Sequence, residues 1–177
     1  MRKGNLFLTR SALLLALASV FPLLGLPQPV TGVAVNVVLY ISSALVGPVG
    51  GIIIGCMTPW LAVLRGVLPP PLIVAAPFIM LGNIVLVLTF DYFRSRNPLF
   101  GLIGAALAKF VVLIVGAQII IPQFLQMPPV VAAKVAAILG LPQIFTALVG
   151  GFLALIILQA IPGKYLWENA QRNYRFY

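Results

Sequence analysis

Acidic residues, histidine and cysteine are almost missing from this chain. Its 177 residues include two acids, one cysteine and no histidine. The absence of histidine excludes imidazole metal sites and His-based acid/base catalysis, and the single Cys56 excludes an internal disulfide. Asp91 and Glu168 each lack an acidic neighbour. Metal-assisted phosphoryl chemistry, which needs several carboxylates, is therefore not expected, and neither an enzyme nor a metal site is predicted.

Charge of either sign is scarce as well. Only 7% of the residues are charged, whereas 62% are hydrophobic. A soluble domain carries roughly a quarter charged residues, so this composition indicates an integral membrane protein. The net charge of +9 comes from 11 basic residues, most of which flank apolar runs. Lipid headgroups and membrane orientation explain this charge better than a nucleic-acid partner does.

Five apolar runs occupy most of the chain, at residues 6–26, 33–64, 72–90, 99–121 and 130–161. Three of them have the length of one membrane crossing, about 20 residues. The second and fifth runs are too long for one comfortable helix and slightly short for two. Hydropathy alone therefore allows five, six or seven crossings.

Basic residues between the runs select the number of crossings. Lys and Arg collect on the cytoplasmic side of membrane proteins. The N-terminus, the segment 91–98 and the tail from Lys164 are the basic segments, and they share one side only if an even number of helices separates them. Dividing the second run at Gly47-Pro48, a strong turn signal, gives six helices in all.

We therefore predict an all-α integral membrane protein, a six-helix bundle in which both termini are cytoplasmic. The predicted helices lie at about 6–25, 33–46, 49–65, 72–93, 99–121 and 130–161, in a single domain of residues 1–177 with a cytoplasmic tail at 162–177. The second helix would be short for a hydrocarbon core about 30 Å thick. The sixth would be long, and tilted or kinked at Pro142.

A lysine in the middle of the fifth helix is the strongest functional signal. Lys109 would cost roughly 3 kcal/mol near the bilayer centre, so such a residue usually faces a protein cavity. Other polar residues in or beside the predicted helices accompany it, and we predict that together they bind a small anionic or carboxylate-bearing solute entering from outside. The predicted site consists of Lys109, Asn83, Lys134, Arg65, Gln118 and Gln143. Alternatively, Arg65 and Lys134 snorkel to headgroups while Lys109 bonds to backbone carbonyls or Asn83.

Small residues at four-residue spacing mark surfaces on which membrane helices pack closely. Ala12 and Ala16 form such a stripe in the first helix, and Gly47, Gly51 and Gly55 form another at the start of the third. The glycine series is suited to packing within the bundle. The alanine stripe lies on a helix at the edge of the bundle, where it is suited to docking another protein.

Taken together, the chain resembles the S-components, the substrate-binding membrane subunits of energy-coupling factor (ECF) transporters. The resemblance covers nearly the whole length and rests on the size, the six helices, the Ala12/Ala16 stripe and two segments. These segments are GPVGGIIIG, from Gly47 to Gly55, and PFIMLGN, from Pro77 to Asn83.

The resemblance implies a function in micronutrient import across a prokaryotic cell membrane. S-components bind a vitamin or a similar solute between the outer loops and helices four to six. They dock through the first-helix alanines on a transmembrane coupling protein that carries two ATPases. The chain lacks a phosphate-binding loop of the Gly-x-x-x-x-Gly-Lys-[Ser/Thr] type, so the partner ATPases would use the ATP and this chain would hold no cofactor. A stand-alone secondary carrier and a small accessory membrane protein are the alternatives.

Overall fold

The computed structural model of the chain describes residues 3–64, 66, 73–121 and 128–166. Most of these residues are helical and none forms a strand, so the all-α prediction is confirmed for them. A π-helical turn at Gly116–Ile120 extends the fifth helix, and a 3-10 turn at Gly163–Tyr165 follows the last. The α-helices are α1 (Lys3–Leu23), α2 (Gln28–Val46), α3 (Pro48–Leu64), α4 (Ala76–Arg94), α5 (Pro98–Val115), α6 (Pro129–Leu139) and α7 (Leu141–Ala160).

Helix α2 begins five residues earlier than the sequence pattern suggested. Pro27 precedes it and Pro29 lies in its first turn. Proline has a fixed φ suited to a helix start and gives up an N–H that has no helical partner there, so this pair begins the helix instead of delaying it. The 19 residues of α2 span about 28 Å, the length of a full crossing. Gly47, whose φ is +94°, then separates α2 from α3.

The last apolar run forms two helices, α6 and α7, which meet at Gly140. Pro142 explains the break, because a proline cannot bond to the carbonyl four residues earlier and clashes with it. That carbonyl belongs to Ile138, and it accepts a hydrogen bond from Gln143 Nε2 at 3.3 Å instead. The kink predicted at Pro142 is thus a complete interruption of the helix.

Five helical stretches of the described chain are long and apolar enough to cross a membrane, if α6 and α7 are counted as one. Helix α3 is apolar but shorter, with 17 residues. The core lies around α2, whose second half is buried almost completely. There Tyr40 meets Phe90 edge to face at 4.8 Å and donates a hydrogen bond to the Leu102 carbonyl.

The two ends of the bundle differ in charge. At the end where α1 and α5 start, Arg10 donates to the Leu45 and Tyr165 carbonyls, and Arg94 pairs with Asp91 at 3.0 Å. We call this the basic end. The opposite end, where α1 and α3 finish and α2 and α4 begin, is the pocket end, and the candidate site opens there.

Candidate solute-binding site

A cavity of about 290 Å³ lies between the helices in the pocket half of the bundle. Its floor is polar, its walls are mostly apolar, and neutral polar side chains surround its mouth. Helices α1 to α5 and α7 all contribute to the lining. The resemblance implied a site formed by fewer helices, the fourth to the sixth, together with the outer loops. The floor is formed by Asn36, Asn83 and Lys109, the walls include Pro22, Val35, Pro59, Ala62 and Ile79, and the mouth carries Gln28, Thr31 and Gln143.

Lys109 is the charged residue of this cavity in the described part of the chain. Its side chain is 3% exposed, and Nζ donates to Asn36 Oδ1 at 2.7 Å and to Asn83 Oδ1 at 2.8 Å. Hydrogen bonds to a charged group contribute about 1.5–3 kcal/mol each, enough to offset much of the cost of burying the ammonium. The two amides therefore allow a lysine to stay inside the bundle.

Both amides are themselves held in place by other helices. Asn83 Nδ2 donates to the Gly55 carbonyl of α3 at 3.0 Å, and Asn36 Nδ2 donates to Thr146 Oγ1 of α7 at 3.3 Å. With each nitrogen bound on the far side, each amide oxygen is directed at the ammonium. The network joins five helices and fixes the position of Nζ before any solute arrives.

The charge on Lys109 has no counter-charge in the described residues. Both of its partners are neutral amides, and Asp91, the acid in this part of the chain, contacts Ser43 and Arg94 near the basic end. An ammonium has three N–H donors, and two of them serve the asparagines. The third is left for a group inside the cavity, which Lys109 lines.

Burial increases from the mouth to the floor along α2, the helix that contributes the most lining residues. On α2, Gln28 is exposed, Thr31 is half-buried and Asn36 is buried. These residues recur at helical spacing on one face, and Asn36 lies about 12 Å deeper than Gln28 at 1.5 Å per residue. The polar floor is therefore separated from the mouth by two turns of helix.

The structure brings together half of the predicted site. Lys109 and Asn83 are in contact, and Gln143 lies at the mouth. Lys134 and Gln118 are exposed and do not line the cavity, and Arg65 lies outside the described residues.

Local packing explains both displaced residues. On α6, Val135 and Leu139 are the buried positions, so Lys134 is directed outward. Ala117 in the π turn and Ile121 directly after it are buried, and the wider turn leaves Gln118 outside.

Sequence reasoning missed Asn36 and Thr146. Asn36 is an amide inside a long apolar run, the same signal that identified Asn83 in the fourth helix. The signal was present, because a polar side chain at membrane depth needs a partner and usually marks a site. Thr146 gives a weaker signal, since a threonine can satisfy its hydroxyl within its own helix, as Thr146 does with the Gln143 carbonyl.

Comparison with known proteins gives one family. The sequence model described as "ECF transporter, substrate-specific component" matches residues 6–162. The match covers the α-helices of the described residues except the start of α1, together with the described lining of the cavity. No curated protein and no solved structure matches the chain.

Proposed function

The chain belongs to the family of ECF transporter substrate-specific components, and from this membership we propose that it captures a small anionic solute outside the cell. Members of this family are substrate-binding subunits of transporters and not enzymes. The proposal adds the chemistry of the solute and the site that holds it, which consists of Lys109, Asn36, Asn83 and Gln143.

The contacts of Lys109 and its position beside the cavity are the main support for this proposal. A lysine kept only for structure could bond to Asn83, as Lys109 does, but it would not need to border a cavity with an N–H donor left over. Here the ammonium is held by two neutral oxygens and borders a cavity. Such a cation gains more from an incoming anion than from any partner in the described residues.

We further propose that the chain crosses a prokaryotic plasma membrane six times with both termini in the cytoplasm, as one domain. Helices α6 and α7 would act together as one broken crossing. The charge difference between the two ends supports this orientation, because cytoplasmic ends collect Lys and Arg. The basic end would then lie in the cytoplasm and the cavity would open outside.

For the partners, we propose a transmembrane coupling protein and two ATPases, which would consume the ATP. Ala12 and Ala16 are both exposed on α1. Helix α1 is also the least buried of the candidate membrane spans, so its outward face is available for a partner. Small side chains there would let a second helix approach closely.

Retained small molecules test the proposal directly. The protein would be purified in lipid nanodiscs, denatured, and the released molecules identified by mass spectrometry. We expect an anionic solute with the wild type and with Arg96→Met, which removes an exposed charge at the basic end. Lys109→Met should lose the solute while keeping its helical content. Equal retention by Lys109→Met would remove Lys109 from the site.

Transport by the isolated chain separates the alternatives. The identified solute would be offered to liposomes that contain only this protein, with and without a proton or sodium gradient. A substrate-capturing subunit should bind the solute without driving uptake. Uptake driven by a gradient would instead indicate a stand-alone carrier. Absence of any bound solute would indicate the other alternative, a small accessory membrane protein.

A further inference from the structure

The floor of the cavity is built for one negative charge. Lys109 is its cation in the described residues, and the amide oxygens beside it are already occupied by the ammonium. The ammonium has one N–H donor left for a solute, and an ionised carboxylate, an acceptor without donors, matches it. A phosphate monoester carries about −1.5 to −2 at neutral pH, so part of its charge would stay buried without a partner.

The walls between floor and mouth are mostly aliphatic. Pro22, Val35, Pro59, Ala62 and Ile79 belong to them, Thr58 adds one hydroxyl that donates to the Gly55 carbonyl at 3.4 Å, and no aromatic ring lines the described part of the cavity. A flat heteroaromatic solute would find no stacking partner among these residues, whereas a saturated chain gains from burial against them.

The mouth is polar but neutral in the described residues. Gln28 is exposed, Thr31 is half-buried, and Gln143 keeps its amide oxygen as an acceptor because its nitrogen donates to Ile138. These groups suit an amide or hydroxyl on a solute whose other end has reached Lys109. The cavity of about 290 Å³ holds a solute about as large as ten water molecules.

We infer that the solute is a monocarboxylate with a saturated body and a neutral polar end, and that it enters acid first. Its carboxylate lies on Lys109, its chain lies along the aliphatic walls, and its polar end stays among the mouth residues. This inference rests on the proposed function and specifies the class of substrate.

A matched set of soluble probes tests each part of the inference. The four compounds are 6-acetamidohexanoate, which has all three features, 6-acetamidohexanamide, which lacks the charge, adipate, which is charged at both ends, and 4-acetamidobenzoate, which replaces the chain with a ring. Their affinities for the full-length protein in nanodiscs would be measured by titration calorimetry. We expect 6-acetamidohexanoate to bind best, with the others at least about tenfold weaker.

Protein variants test which residues contact each end of the probe. Lys109→Met should weaken 6-acetamidohexanoate about 10- to 100-fold, the loss of one charge-assisted hydrogen bond, and Arg96→Met should leave it unchanged. Gln28→Leu should reduce the preference for 6-acetamidohexanoate over plain hexanoate, while hexanoate itself keeps its affinity. Unchanged binding in Lys109→Met would overturn the acid-first orientation.

The outcomes separate this inference from the proposed function. Stronger binding of adipate or 4-acetamidobenzoate, or a retained natural solute with a phosphate or an aromatic ring, overturns the inference and leaves solute capture intact. If no probe binds but a retained solute is found, its formula decides, and a single carboxylate on a non-aromatic body supports the inference. Binding of no probe, together with no retained solute, overturns both.

Discussion

Single residues decide whether a lysine can remain inside this bundle. Lys109 is held by oxygens from α2 and α4, and each of those amides is fixed by a further helix. Removing one partner of a buried charge costs far more than the net value of the pair, because the remaining partner is left without a hydrogen bond. Removing both partners together should therefore be milder than the two separate losses suggest.

A double-mutant cycle tests this coupling. Asn36→Leu alone should destabilise the protein by about 1–3 kcal/mol, since it leaves the ammonium with one acceptor fewer. When Lys109→Met is already present, the same change should cost about 0.5–3 kcal/mol less. The measurement is the free energy of unfolding in detergent, with circular dichroism as the signal that monitors unfolding. Additive effects would show that Asn36 and Lys109 do not stabilise each other.

How much of the site the sequence predicts depends on the distance from the helix centre. Lys109 and Asn83 lie well inside predicted spans, where any polar group needs a protein partner, and the structure places them in contact. Gln118 and Lys134 lie near the ends of their predicted spans, 99–121 and 130–161. Near the end of a span, the direction in which a side chain points depends on local irregularities such as the π turn at Gly116–Ile120. No simple helical period predicts such a turn.

At the scale of helices, the close approach of α2 and α7 positions the floor of the cavity. A methyl group on Gly150 would lie 2.8 Å from both the Val33 carbonyl oxygen and Asn36 Cβ. Backbone cannot give way as a flexible side chain can, so α7 would have to move away from α2. That movement would disturb the amide of Asn36, which Thr146 of α7 holds in place.

Gly150→Ala should therefore lower both stability and solute affinity. We expect a loss of about 1–3 kcal/mol in unfolding free energy, typical of overpacking, and weaker binding than in the wild type. Gly104→Ala is the matched control, because its new methyl group would meet only Thr89 at an ordinary 3.6 Å. If both variants bind and unfold alike, the contact of α2 with α7 does not control the site.

Arg10 joins helices at the other end of the molecule. It donates to the carbonyl of Leu45 near the end of α2 and to that of Tyr165 after α7. Arg10→Met should cost about 1–3 kcal/mol in unfolding free energy, since these are charge-assisted bonds, but should leave solute affinity unchanged. Exposed Arg96 serves as the control, with Arg96→Met expected to have little effect on either. A large fall in affinity with Arg10→Met would show that the two ends are coupled.

The sequence also predicts most of the helix order, but a proline in the sequence does not show whether a helix ends or begins there. Gly47-Pro48 marks a turn because no helix continues easily through it, and α2 and α3 do separate there. Pro27 and Pro29 give the same local signal but start a helix instead of ending one. A proline restricts the backbone in both cases, and only the packing of the neighbouring helices decides which result follows.

For the whole molecule, the decisive property is the separation of charge between its ends. Arg10, Arg94 and Arg96 lie at one end, whereas the described cations of the other half are Lys109, which lines the cavity, and Lys134, which is exposed on α6. In the orientation that we propose from the positive-inside rule, the cavity mouth lies on the outer face of the membrane. Import of a captured solute requires that placement, because a cavity that opened to the cytoplasm could not collect solute from outside.

Cysteine labelling in intact cells tests the orientation. In a Cys56→Ala background, single cysteines would replace Gln28 at the cavity mouth and Ser95 at the basic end, both of which are exposed. A membrane-impermeant maleimide should label Gln28→Cys in intact cells, and Ser95→Cys only after permeabilisation. Labelling of both after permeabilisation shows that each thiol is reactive. The reverse pattern would place the Lys109 cavity in the cytoplasm, and capture from outside would then be impossible however tightly the purified protein binds its solute.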